Sequence, residues 1–181
     1  MRIAATTLVV FSILASSMLM AETSVNVKGG MLGSTRNVHV CGRHILCGQP
    51  SAEDFAAAKQ RGIKTVITLR LPDEINWNEA KAVQDLGLNY HDLGFRSPDS
   101  MTDELIKKAV SILGEMEQGP VLLHCASANR VGAIWMAHRV INDGLSVDAA
   151  AAEGKEVGLR TAAYEAKVRQ YLKNRQPKQK K

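Results

Sequence analysis

Aromatic residues are scarce in this 181-residue chain: three Phe, three Tyr and two Trp. One of them, Phe11, lies in a segment that reads as removable. So few rings argue against a base-stacking platform, and with it against a nucleic-acid partner. Histidine and cysteine are few as well. The five histidines show neither i, i+4 spacing nor a CxxC companion, so no zinc pattern is present and no metal or organic cofactor is called for. Acidic residues are missing altogether from Lys173–Lys181, where five basic side chains carry the whole formal net charge of +5. The rest of the chain is neutral, so the apparent attraction to polyanions shrinks to a short, frayed basic tail over 173–181. Linkers and internal repeats are lacking too, and the length fits one domain.

Met1–Ala21 carries one early charge, Arg2, and then none until Glu22; the apolar part Leu8–Leu14 is broken only by Ser12, and small residues follow. This is the three-part pattern of a secretory signal peptide, with Ala21 or Ala15-Ser16-Ser17 as the cut and an uncleaved anchor as the alternative. The expectation is a monomeric domain over 22–172, periplasmic or secreted, with no stable membrane insertion once the signal is gone. Three cysteines are an odd number for such a compartment. Cys41 and Cys47, in VHVCGRHILCG, read either as a disulfide or as two buried thiols on adjacent strands. In both cases Cys125 is left over.

From residue 36 onward strand-like and helix-like signals alternate. Strands are expected at Asn37–Cys41, His44–Cys47, Lys64–Leu69, Leu88–Phe95 and Pro120–His124, the last being wholly apolar and the best candidate for the centre of a sheet. Helices are expected from Ser51, capped by Asp54, to Arg61-Gly62; over Glu74–Leu86; over Asp103–Gln118, behind Ser100 or Thr102; over Val131–Asn142; after Ser146; and over Ala162–Lys173. The alternation predicts an α/β fold, a central, mostly parallel sheet flanked by helices.

The stretch PVLLHCASANRVGAIW, starting at Pro120, holds the chemistry. A buried strand ends at His124, Cys125 follows, a tight turn leads to Arg130, and a helix begins. Ligands of such sheets bind beyond the carboxyl ends of strands, and a helix N-terminus there offers unpaired N–H groups to an anion. A thiol so placed is expected to fall from a pKa of ~8.5 toward ~3.5–7.5. Arg130 supplies a planar fork for two oxygens of an oxyanion. Nucleophile, anion cradle and cation thus fall within one turn, which suits attack on a phosphate ester through a phosphocysteine. His124 reads as a residue that orients the loop and tunes the thiol. The bland alternative makes Cys125 a structural thiol and Arg130 a surface residue.

Together LCGQPSAEDF, GIKTVITLR, LGLNYHDLGFRSPD and HCASANRVG resemble the cysteine-dependent protein phosphatases over about residues 38 to 140. The likeness is to bacterial proteins similar to the dual-specificity phosphatases, a group that includes domains fused elsewhere to metallo-β-lactamase-like hydrolases. It implies a dual-specificity-phosphatase-like fold, Cys125 as nucleophile, Arg130 on the phosphate, and the backbone N–H groups of Ala126, Ser127, Ala128, Asn129 and Arg130 as the cradle. It also implies a phosphorylated protein or small molecule as substrate. An acid must protonate the leaving oxygen. Asp99, in FRSPDS, is the first candidate and Asp92 the second, although Asp99 equally suits a turn after Pro98. Arg96 is a candidate substrate-binding residue from the same loop, and Arg70 points to the same rim; both equally suit solvent or a salt bridge to Asp73 or Glu74. The chain departs from the family pattern at three points. Only four residues, Ala126, Ser127, Ala128 and Asn129, separate Cys125 from Arg130, one fewer than in the phosphatase signature. Val131 stands where a hydroxyl usually helps the thiolate leave, and Ala128 where a glycine is common, which predicts a loop less able to reach positive φ. The short loop is similar to that of rhodanese-like sulfurtransferases, in which the cysteine carries a persulfide; a catalytically inactive anion-binding module is the other alternative.

Overall fold

The structure is a computed structural model that describes residues 27–117 and 119–175. The expected signal segment and the last six residues of the basic tail lie outside the described residues. In chain order the strands are β1 (Val27–Gly29), β2 (His39–Cys41), β3 (His44–Cys47), β4 (Thr65–Thr68), β5 (Asn89–Asp92) and β6 (Val121–His124). The helices are α1 (Ala52–Gln60), α2 (Glu79–Asp85), α3 (Asp103–Gly114), α4 (Asn129–Asp143), α5 (Val147–Val157) and α6 (Ala162–Arg175), with one 3-10 turn at Pro72–Glu74.

The six strands form one sheet in the order β1-β2-β3-β6-β4-β5. From β3 to β5 all pairings are parallel, while β1 and β2 add an antiparallel edge. β6 lies between β3 and β4, the central place expected from its apolar run. Every residue of β3, β4 and β6 is buried, as strands covered by helices on both faces must be. α1 and α2 close one face over Phe55, Val66, Val83 and Leu122, and α3 to α6 close the other over Ile67, Leu123, Ile134 and Val168. α4 is enclosed by α3, α5 and α6, so its residues from Arg130 to Arg139 are all buried and it shows no solvent stripe. Among the described residues no helix is long and apolar enough to cross a membrane.

Helix starts follow the expected caps. Ser51 and Asp54 form a reciprocal capping box, and the Thr102 and Ser146 hydroxyls accept from the backbone N–H groups of Leu105 and Ala149. Several boundaries differ from the sequence reading. The helix expected over Glu74–Leu86 divides: Pro72 opens a 3-10 turn ending at Glu74, Ile75 is extended, and Asn78 caps a separate α2 with its side chain. The strand expected over Leu88–Phe95 leaves the sheet after Asp92, where Gly94 comes so near Arg70 that a Cβ would lie 2.6 Å from the Arg70 carbonyl oxygen. α3 stops at Gly114, and α6 runs to Arg175, taking in the first three residues of the expected tail. All three cysteines are free. Cys41 packs with the core under α4 and Cys47 with the core under α1, on opposite faces of the sheet, so the disulfide alternative is overturned.

Candidate active site

The carboxyl ends of β3, β6, β4 and β5 open along one edge, and the turn Cys125–Ala128 sits at its middle. Cys125 donates its N–H to the Cys47 carbonyl at 3.4 Å, and an isolated bridge joins Gly48 to Ser127, so the turn hangs from the end of β3. Gly48 is required there: a Cβ would lie 2.9 Å from the Arg36 carbonyl oxygen. The loop closes through Ala128, which adopts φ 64° despite its side chain. The expectation that Ala128 would resist positive φ is therefore overturned; the left-handed residue is what lets α4 start at Asn129, and it costs about 1–2 kcal/mol. Among the described residues nothing accepts from the backbone N–H of Ala126, Asn129 or Arg130, leaving first-turn donors at the base of the loop. Cys125 itself lies deep, 1% exposed.

Arg130 is buried and aimed. Its Nη1 donates to the carbonyls of Leu69 at 2.7 Å and Phe95 at 2.6 Å, while Nη1 and Nη2 meet the two Glu74 oxygens at 3.2 and 2.7 Å. Glu74 thus occupies the end-on fork of the guanidinium. The side-on fork, Nε–H with the second Nη2–H, has no acceptor among the described oxygens, and the charge of Arg130 acts on the nearby Cys125 sulfur. Burial alone would lower the Arg130 pKa, but Glu74 and Cys125 outweigh it and hold it above the usual value. Glu74 also receives Arg70 at 3.4 Å and Arg96 at 3.5 Å. Burial pushes its carboxyl up, yet the three guanidiniums, Arg130 foremost, hold it below the ordinary range.

Solved structures of similar shape supply the comparison. P. aeruginosa TpbA is 19% identical and superposes with TM-score 0.66 over 82% of this chain and 91% of its own. Tk-PTP in its active form is 21% identical, with TM-score 0.65 over 80% of this chain and 99% of that one. The core catalytic domain of the PP-IP phosphatase SIW14 from S. cerevisiae is 20% identical, with TM-score 0.64 over 75% and 85%. The fold is that of the cysteine-dependent phosphatases. No family model and no curated protein matches the sequence.

On this phosphatase fold the other expected residues fall as follows. Ala126, Ser127, Ala128 and Asn129 form the turn between Cys125 and Arg130, with Asn129 turned to α6: its side chain donates to Thr161 Oγ1 and accepts from the Arg160 N–H, both at 2.8 Å. The segment holding Asp99 follows Phe95, whose carbonyl binds Arg130; Tyr164 of α6 pins it by donating to the Arg96 carbonyl at 2.8 Å. Ser97 and Ser100 bond to one another and to the local backbone, and Asp99 is left exposed with no partner among the described residues. Asp92 accepts from Gly94 N–H and faces away, toward the hollow lined by Trp77, Glu79 and Tyr90. Arg96 donates from Nη2 to both Asp73 oxygens, at 2.7 and 2.8 Å, so its charge is held by that carboxylate. Arg70 is turned to Glu74 and to Gln49.

Three residues of the site have roles that the sequence does not announce. Glu74 is offered by the sequence only as a salt-bridge partner for Arg70 or Arg96, and those pairs form; its hold on Arg130 is the unannounced part. Glu79, 2% exposed, lies 3.1 Å from His124 Nε2, off the line of a hydrogen bond, and accepts from Gln49 and Tyr90. Burial raises the Glu79 carboxyl, but His124, Gln49 and Tyr90 outweigh it. The third is Arg160, whose guanidinium rests on Ser127.

Proposed function

We propose that this protein hydrolyses phosphate monoesters through a phosphocysteine. The observation that carries the reading is the division of Arg130: Glu74 holds one fork, and the other stays open beside Cys125 and the unpaired turn amides. A phosphoryl group at the turn would receive two oxygens on that fork and on the N–H groups of Ala126 and Asn129. The thiolate of Cys125 attacks phosphorus, the S–P bond forms, and the P–O bond of the ester breaks. Asp99, carried on the loop beyond Phe95, gives its proton to the leaving oxygen. Water then attacks phosphorus, Asp99 takes the proton back, and the S–P bond breaks to return the thiolate and inorganic phosphate. Val131 offers no hydroxyl for this second step, so phosphoenzyme accumulates. The likeness in fold to phosphatases supports the reading, and a TpbA variant is known in complex with phosphotyrosine, which makes an aryl phosphate a reasonable first substrate.

Steady-state turnover of p-nitrophenyl phosphate tests it. Turnover is expected to vanish in Cys125→Ser and to fall about a hundredfold or more in Asp99→Asn. Trapped protein should carry one HPO₃ on Cys125. The short turn and Val131 favour a persulfide alternative; gain of one sulfur from thiosulfate, in place of HPO₃, would decide for it. Export to the periplasm or beyond is part of the proposal and rests on the N-terminal pattern; loss of residues 1–21 from protein recovered outside the cytoplasm tests it.

A further inference from the structure

Arg160, in the turn between α5 and α6, reaches over the loop. Its Nη2 donates to Ser127 Oγ at 2.6 Å and its Nη1 to the Ser127 carbonyl at 3.3 Å, while its backbone N–H is fixed by Asn129 Oδ1 at 2.8 Å. All its acceptors are neutral oxygens, those of Ser127, Asn129 and Gly158. No carboxylate among the described residues pairs with it. The other cations of the rim differ: Arg70, Arg96 and Arg130 all lie on Glu74, and Lys155 is 3.0 Å from Glu165. Arg160 is exposed and borders a hollow of about 370 Å³ with Asn37, His39, Ser127, Lys155 and Glu156.

A guanidinium without a counter-ion, beside a cradle shaped for one oxyanion, attracts another. The fork geometry matches a phosphate, and the hollow lies within the size range of small-ligand sites, about 300–1,000 Å³. We propose that Arg160 and this hollow take the second phosphate of a bisphosphorylated small molecule whose first phosphate enters the cradle at Cys125. Glu156 is the acidic residue on the wall and sets the limit on charge, favouring one further phosphate over a polyphosphate chain. This deepens the phosphatase reading and rests on it for the reacting phosphate.

Binding to Cys125→Ser protein measures the subsite without turnover. Calorimetry with propanediol bisphosphate and propanediol monophosphate is expected to show the bisphosphate bound about tenfold or more tightly. Arg160→Ala should bring the ratio of the two affinities close to one, and Arg160→Lys should keep part of it. Equal affinities in the parent overturn the subsite alone. A parallel loss for both ligands in Arg160→Ala overturns it too, because that is what a brace on the Ser127 loop would produce. An acidic phosphopeptide bound more tightly than the bisphosphate transfers the surface to a protein ligand and overturns the small-molecule assignment. Failure of both phosphates to bind overturns the phosphatase reading itself.

Discussion

Glu74→Gln is the sharpest probe of how the site is held. The change keeps the size of the side chain and one acceptor oxygen, removes the charge, and places an NH₂ group where the second oxygen was. In the native site Oε2 takes Arg130 Nη2 at 2.7 Å and Oε1 takes Nη1 at 3.2 Å. The new NH₂ would face one of these donors, donor on donor. Hydrogen bonds to charged groups contribute about 1.5–3 kcal/mol each, and only the bond at 2.7 Å is short. Glu74 is 17% exposed, so solvent screening keeps the loss to the lower end, about 1.5–2 kcal/mol of stability. Leu69 and Phe95 still hold Nη1, so Arg130 stays in the site while its open fork loses its aim. Loss of one phosphate contact of similar strength lowers kcat/KM by about ten- to a hundredfold. Urea unfolding and turnover of p-nitrophenyl phosphate measure the two effects. Asp73→Asn is the control, because its pair with Arg96 lies in solvent, where screening leaves an ion pair little to contribute. A Glu74→Gln protein with kcat/KM within about twofold of the parent and an unchanged unfolding midpoint would refute the claim that Glu74 sets the fork.

Three further outcomes follow from the same geometry. His44, pushed down to about 3 by burial, His138 and Arg43, accepts from the Val121 N–H, and His138, pushed down to about 4 chiefly by burial, lies beside it. Both folded values lie below the unfolded one, so the unfolded chain binds more protons: stability is full above about pH 6.5 and falls as the pH drops toward 4 and 3. The loss at about pH 5 is roughly 2–4 kcal/mol for the pair, read from urea midpoints, and a flat profile between pH 7 and 5 would contradict it. Burial pushes Cys41 up to about 12 and raises Cys47 well above its usual value, so iodoacetamide at neutral pH should leave both unlabelled in the native protein. Peptide mapping that finds label on Cys41 or Cys47 would count against this. Gly132→Ala would bring a Cβ to 2.4 Å from the Gly154 carbonyl oxygen and 2.7 Å from the Leu159 nitrogen; the helices must part, and thermal unfolding should report a loss of about 1–3 kcal/mol together with weakened turnover.

What could be read from the chain was local. PVLLHCASANRVG places strand, turn and helix within a few residues, so the neighbourhood of Cys125 and Arg130 followed from apolar character and from the position of the turn. The caps at Ser51, Thr102 and Ser146 were equally local. Glu74 was not, because it meets Arg130 across a separation of 56 residues, and the sequence around it carries enough apolar spacing to suggest a continuous helix. Its role depends on Pro72 and Asn78 breaking that helix, so that the carboxylate sits at the end of a separate 3-10 turn. Glu79 and Arg160 are distant in sequence from the groups they serve. β1 is short and mostly exposed, and it exists only because β2 offers it an edge. Ala128 shows the opposite failure: a sound local rule against positive φ yields to the loop and to Gly158, whose missing side chain leaves room beside the Ala128 methyl, where a Cβ would lie 3.1 Å away.

The placement of Cys41 and Cys47 on opposite sides of the sheet has a practical result. No covalent cross-link contributes to folding, so the thiol–disulfide poise of the surroundings is irrelevant to whether the chain reaches its native form. Reducing and oxidising expression hosts should yield the same protein, and dithiothreitol can protect Cys125 during purification without lowering the melting temperature.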